Sequence, residues 1–125
     1  MLFRLYPVPI ISKKDGCIFK SYIQSHDCFS PSEIYINHIH TSAPSYWRSH
    51  TKASISIQVL SGAASFSFSK HPDCSVVSSI LLDELSSWRV LIYPNTWFSF
   101  RSLSPELMLL CLSDIFHDPS EVLSL

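Results

Sequence analysis

Ala53–Ser54–Ile55–Ser56–Ile57–Gln58–Val59–Leu60–Ser61–Gly62–Ala63–Ala64–Ser65–Phe66–Ser67–Phe68–Ser69 is the stretch on which the fold turns. Apolar and polar residues alternate on both sides of Gly62, a period of two that belongs to a strand with one buried face. Ser61–Gly62 interrupts the pattern, and a glycine there tolerates a positive φ. The two runs are therefore expected to form a hairpin about Gly62.

Further strands are expected outward from this stretch. Glu33–Ile34–Tyr35–Ile36–Asn37–His38–Ile39–His40 is rich in β-branched and aromatic residues. Ser75 to Leu82, Trp88 to Tyr93, Thr96 to Phe100 and Leu107 to Leu112 follow at short intervals. His71–Pro72–Asp73, Pro94–Asn95 and Ser104–Pro105–Glu106 supply turn chemistry between them, with Pro105 expected at a hairpin tip. Helical periodicity is weak throughout, and its best site is a short turn over Glu121–Val122–Leu123 after Pro119. Serines on alternate positions read as the solvent or cavity side of a sheet. Short strands separated by turns roughly every ten residues give an all-β sandwich or barrel, not a βαβ fold.

The bulk numbers agree. With 125 residues, 46% hydrophobic and 15% charged, the chain is expected to form one domain, 1–125, around a single core. A net charge of -1 offers no footprint for nucleic acid or an anionic membrane surface. The apolar run Leu107–Leu112 is far shorter than a membrane span. Pro7 and Pro9 interrupt the apolar stretch Met1 to Ile11, so no signal peptide is expected and a cytoplasmic location follows by default. Cys17, Cys28, Cys74 and Cys111 stand singly, without C-x-x-C spacing, and are expected to be reduced thiols.

Tyr46–Trp47–Arg48–Ser49–His50–Thr51–Lys52 is the densest cluster of chemistry. On a strand, Arg48, His50 and Lys52 would share one face, and Trp47, Ser49 and Thr51 the other. Cations and an imidazole beside aromatic rings suit an anionic, ring-bearing ligand. The same alternation would also suit a solvated strand edge. Pro94–Asn95–Thr96–Trp97–Phe98–Ser99–Phe100 reads either as core or as the wall of an apolar pocket.

His38 and His40 leave one face of a strand and could ligate a divalent metal, but no Glu and third His stand at suitable spacing. His117 and Asp118 are neighbours, which on a strand would point to opposite faces. With 2 glycines in total there is no Gly-rich phosphate loop, and no G-x-S-x-G elbow is present.

Trp47–Arg48–Ser49–His50–Thr51–Lys52 followed by an apolar strand and Gly62 resembles the W-K-x-H-K-x segment of small RmlC-type cupins, the dTDP-4-dehydrorhamnose 3,5-epimerase-related family. Ile92–Tyr93–Pro94–Asn95–Thr96–Trp97–Phe98 is similar to that family's I-P-P-G-x-W-F turn. Leu103–Ser104, Pro105–Glu106 and His117–Asp118–Pro119–Ser120–Glu121–Val122 are similar to its closing motif. The resemblance runs from about Glu33 to Val122.

It implies a cupin-type double-stranded β-helix, a jelly-roll barrel that is often a homodimer. The implied activity is isomerase or epimerase chemistry on a dTDP-4-keto-6-deoxy sugar in surface polysaccharide biosynthesis, with no cofactor. His50 maps to the base, and Lys52 or Arg48 to the cation that stabilises an oxyanion or holds phosphate. Trp47, Trp97 and Tyr93 map to the substrate-binding surroundings. Three departures stand out. The R-G-x-H glycine is replaced within Trp47–Arg48–Ser49–His50, and Trp97 stands where the acid tyrosine is expected, with Tyr93 as substitute. Asn95 replaces a turn glycine, a change that the left-handed conformation accommodates. The second histidine motif of metal-dependent cupins is absent, so no metal is implied. The alternative is a catalytically silent cupin that binds a sugar or nucleotide sugar.

Overall fold

The computed structural model describes residues 1–23 and 29–125. These residues form twelve strands. They are β1 (Phe3–Pro7), β2 (Ile10–Lys13), β3 (Gly16–Phe19), β4 (Glu33–Ile39), β5 (Arg48–His50) and β6 (Ile55–Ser61). The remainder are β7 (Ala63–Ser69), β8 (Ser78–Asp83), β9 (Trp88–Ile92), β10 (Trp97–Ser102), β11 (Leu107–Ser113) and β12 (Val122–Ser124). A 3-10 turn, Pro119–Glu121, precedes β12. No helix among the described residues is long and apolar enough to cross a membrane.

Two five-stranded antiparallel sheets face each other. One has the order β1-β9-β6-β11-β4, the other β12-β5-β10-β7-β8, and β2 and β3 form a separate hairpin. The alternation read in the sequence sets the inner faces. Ile55, Ile57 and Val59 of β6 pack in one core with Phe66 and Phe68 of β7 and with Phe98 and Phe100 of β10. This is the sheet-on-sheet core of a jelly roll, and the all-β expectation holds.

Two expectations fail in the same way. The runs flanking Gly62 do not pair: β6 lies between β9 and β11, whereas β7 lies between β10 and β8. Gly62, at φ +91, is a corner at which the chain leaves one sheet for the other. A Cβ there would collide with Ser104 Oγ and the Glu106 carbonyl oxygen. Pro105 likewise sits between β10 and β11 of different sheets, not at a hairpin tip. Alternation fixes which side chains face in, but it does not choose the partner strand. The Pro94–Asn95 turn is also a crossing, and Asn95 does adopt the left-handed conformation at φ +65.

Serine does not always mark an open face. Ser65 and Ser67 of β7 are half-buried, but Ser56 and Gln58 of β6 are fully buried. The buried Arg89 donates from Nη1 to Ser56 Oγ at 2.8 Å, so the outer face of this sheet is itself covered. Cys17, Cys74 and Cys111 are free thiols, and Cys28 lies outside the described residues.

Candidate functional site

Strand β5 is only three residues long, and its shortness builds the site. It is held between β10 and β12, with Arg48 opposite Phe98 and His50 opposite Val122. Arg48 therefore shares the inward side with Phe98, and His50, two residues on, shares it too. Just past His50 the backbone turns. Glu121 Oε1 accepts from the Lys52 N–H at 2.9 Å and from the Ala53 N–H at 2.8 Å. The bend carries the Lys52 side chain into solvent, so Arg48, His50 and Lys52 do not share a face as the sequence suggested.

The 3-10 turn delivers that carboxylate. Asp118 caps it by accepting from the Ser120 N–H at 3.0 Å, Pro119 sets the first φ, and Glu121, its last residue, is 3% exposed. Glu121 Oε2 lies 2.9 Å from His50 Nδ1. Burial pushes the Glu121 carboxyl up, but the Ala53 and Lys52 N–H donors and His50 outweigh it and hold it below the usual carboxylate range. An ionised Glu121 accepts from Nδ1–H and so fixes the tautomer that leaves the Nε2 lone pair free. The His50 ring stacks over Phe98 at a centroid separation of 5.9 Å and an interplanar angle of 15°.

A cavity of about 510 Å³ opens over this pair. Its lining includes Arg48, His50, Glu121, Tyr35 and Tyr46, with His117 and Phe116 from the segment after β11. The volume is in the range of small-molecule sites. The Arg48 guanidinium lies 5.0 Å from the Tyr46 ring centroid, and its Nε is buried with no hydrogen-bond partner among the described residues. Tyr35 of β4 is opposite Cys111 of β11 in the strand register. Although Tyr35 is 39% exposed, its partial burial, reinforced by Cys111, pushes its pKa above the ordinary 10.0. Burial likewise pushes the Cys111 thiol up to about 12, so it remains a packed, unreactive thiol.

The structure thus brings His50 and Arg48 together and separates them from the other predicted residues. Lys52, Trp47, Trp97 and Tyr93 are not among the residues that line this cavity. Trp97 is 8% exposed on the opposite side of β10 from Phe98, and the Pro94–Phe100 segment is mostly core. Glu121 and Tyr35 were missed as site residues. Glu121 stands 71 residues from His50, a distance that no local spacing encodes. Tyr35 was legible only as an inward position of a strand.

Neither a protein-family model nor a curated protein matches the chain by sequence. Solved structures match it closely in shape. A histidine-to-asparagine mutant of the 3,4-ketoisomerase QdtA from Thermoanaerobacterium thermosaccharolyticum, in complex with TDP-4-keto-6-deoxyglucose, is 18% identical with a TM-score of 0.85. The match covers 97% of this chain and 86% of that one. The WlaRB TDP-quinovose 3,4-ketoisomerase from Campylobacter jejuni is 16% identical, with 97% and 91% covered and a TM-score of 0.84. The dTDP-4-dehydrorhamnose 3,5-epimerase of Bacillus anthracis, with TDP and PPi bound, is 12% identical, with 98% and 78% covered and a TM-score of 0.86. The chain has the RmlC-type cupin fold.

Proposed function

We propose that the chain binds a dTDP-4-keto-6-deoxy sugar and moves a proton on the carbon beside its carbonyl. His50 Nε2 takes the proton, the C–H electron pair passes into the carbonyl as an enolate, and Arg48 stabilises the oxyanion or grips the diphosphate. Tyr35, kept protonated by its surroundings, returns a proton. Return to the opposite face of the same carbon gives an epimer. Return at the former carbonyl carbon, while the adjacent hydroxyl passes its proton to the enolate oxygen, shifts the carbonyl. Proton exchange with solvent then restores neutral His50 and the Tyr35 hydroxyl. The observation that carries the reading is an imidazole oriented by a buried carboxylate beside an arginine whose Nε has no hydrogen-bond partner among the described residues, both lining one cavity. The ketoisomerase and epimerase neighbours, which by their names act on or bind TDP sugars, support it.

Lys52, exposed outside the cavity lining, yields the oxyanion role to Arg48 in this reading. We place the reaction in the cytoplasm, in the supply of sugars for surface polysaccharide. We also propose a homodimer. Its support is the apolar exposure of the β2–β3 hairpin, where Ile10, Ile11, Ile18 and Phe19 are 39–45% exposed, together with the position of β4 at the edge of its sheet among the described strands. Light scattering that returns the monomer mass at micromolar concentration would remove the dimer.

The test of the reaction is deuterium wash-in from solvent into dTDP-4-keto-6-deoxyglucose. Exchange that is present in the native chain and lost in His50→Ala is the expected result. Binding without exchange above background excludes the catalytic reading and leaves a silent nucleotide-sugar-binding cupin.

A further inference from the structure

His38, His40 and Glu106 lie on the outer face of the sheet, away from the cavity lining. The strand register brings them together. On β4, His38 and His40 are two residues apart and leave the same side. Strand β11 runs antiparallel beside it, with Met108 opposite His38 and Leu107 opposite Ile39. One further step places Glu106 opposite His40. Leu107 is buried inward, so its neighbour Glu106 turns outward to the two imidazoles.

The donor atoms converge. Glu106 Oε2 is 3.5 Å from His38 Nε2, and Glu106 Oε1 is 3.8 Å from His40 Nδ1. The imidazole centroids are 4.1 Å apart, and one ligand atom from each of the three residues lies within 4.8 Å of the others. Donors bonded to a tetrahedral zinc stand ~3.4 Å apart, given bond lengths near 2.1 Å. Side chains this exposed close that gap by small rotations. The backbone beneath Glu106 is fixed: its carbonyl accepts from Ser104 Oγ at 2.6 Å, and Ser104 Oγ accepts from the Ala63 N–H at 3.1 Å. Gly62 packs against the same two oxygens so closely that a Cβ would not fit.

We propose that His38, His40 and Glu106 form a binding site for a divalent transition metal of the zinc class, with water completing the shell. Two imidazole nitrogens and one carboxylate oxygen suit such an ion, whereas calcium and magnesium favour all-oxygen shells. The bound ion ties the end of β4, the edge strand among the described strands, to the β10–β11 connection.

The site is tested on the full chain, stripped with a chelator and titrated with Zn²⁺ by calorimetry and with Co²⁺ by visible absorption. The expected result is one ion per chain, and a rise in Tm on adding Zn²⁺. His40→Ala and Glu106→Gln should each weaken binding at least ~10-fold and abolish the Tm rise. Both positions are exposed, so the variants should keep the wild-type fold by circular dichroism. His50→Ala should bind Zn²⁺ as the wild type does, which separates this site from the cavity. Equal binding by His40→Ala and the wild type overturns the proposal, as does loss of binding in His50→Ala alone. Failure of the wild-type chain to bind Zn²⁺ at millimolar concentration also overturns it.

Discussion

The Nδ1 atom of His50 lies 2.9 Å from Oε2 of Glu121, and Glu121 uses its other oxygen to hold the backbone that follows His50. One buried carboxylate therefore ends strand β5 and orients the imidazole at that strand's end. The same contact serves the fold and, in the proposed reaction, the chemistry.

Glu121→Gln separates these two roles. The amide oxygen can still accept from the Lys52 and Ala53 N–H groups, so the bend in the chain should survive. The amide nitrogen then faces His50 Nδ1 and donates to it, which moves the ring proton to Nε2. A protonated Nε2 cannot act as a base. Solvent exchange into the keto sugar should fall by roughly 10²–10⁴-fold, while affinity for dTDP changes little. Exchange at the wild-type rate would remove the dyad from the mechanism.

Acid should reveal the same carboxylate. Glu121 ionises more readily in the folded chain than at its ordinary 4.5. Its contribution to stability is complete above that value and is lost as pH falls through it towards the lower folded value. Asp73 and Asp118 are also held below their ordinary values, chiefly by hydrogen bonds from Ser75 and Ser120, and both remain in Glu121→Gln. The difference between wild-type and Glu121→Gln unfolding free energies, measured by urea titration, should therefore shrink between roughly pH 5 and pH 3. A difference that stays constant across this window would mean that Glu121 titrates alike in the folded and unfolded chains.

Tyr35→Phe should divide the reaction in two. In the proposed reaction, proton removal needs His50 and the cation, whereas proton return needs the Tyr35 hydroxyl. Deuterium wash-in should persist within a few-fold, and formation of the rearranged sugar should fall by about 10²-fold. Both rates staying at the wild-type level would take Tyr35 out of the reaction. Cys111 is buried and should remain packed in this variant.

Most of the barrel was legible because period two is written locally. Ile55, Ile57, Val59, Phe66 and Phe68 declare their buried side within a few residues of one another, and Asn95 declares its left-handed turn. Partner choice is not local. Gly62 looks like a hairpin turn because a positive φ suits both a hairpin and a sheet-to-sheet corner. Only the distant packing of Ser104 and Glu106 against it makes it the latter. The site divides along the same line. His50 and Arg48 were visible as neighbours on one strand, while Glu121 and Tyr35 reach them across the fold. Lys52 was misplaced because an unseen carboxylate bends the chain just past His50. The third ligand beside His38 and His40 was hidden for a related reason: Glu106 is their neighbour through strand register alone.

Arg48 should exchange stability for binding. Its Nε is buried without a hydrogen-bond partner among the described residues, and its guanidinium lies over the Tyr46, Phe98 and Phe100 rings at 5.0 Å, 5.9 Å and 5.9 Å. A buried donor without a partner costs free energy, and an anion that accepts from it recovers that cost. Arg48→Met fills similar volume without charge. The ligand-free variant should be as stable as the wild type or more stable by ~1 kcal/mol, read from urea unfolding. Its affinity for dTDP should fall by about 10–100-fold, and the stabilisation that saturating dTDP gives the wild type should largely vanish. A variant that loses stability but keeps its dTDP affinity would show Arg48 to be a packing residue, with the anion held elsewhere.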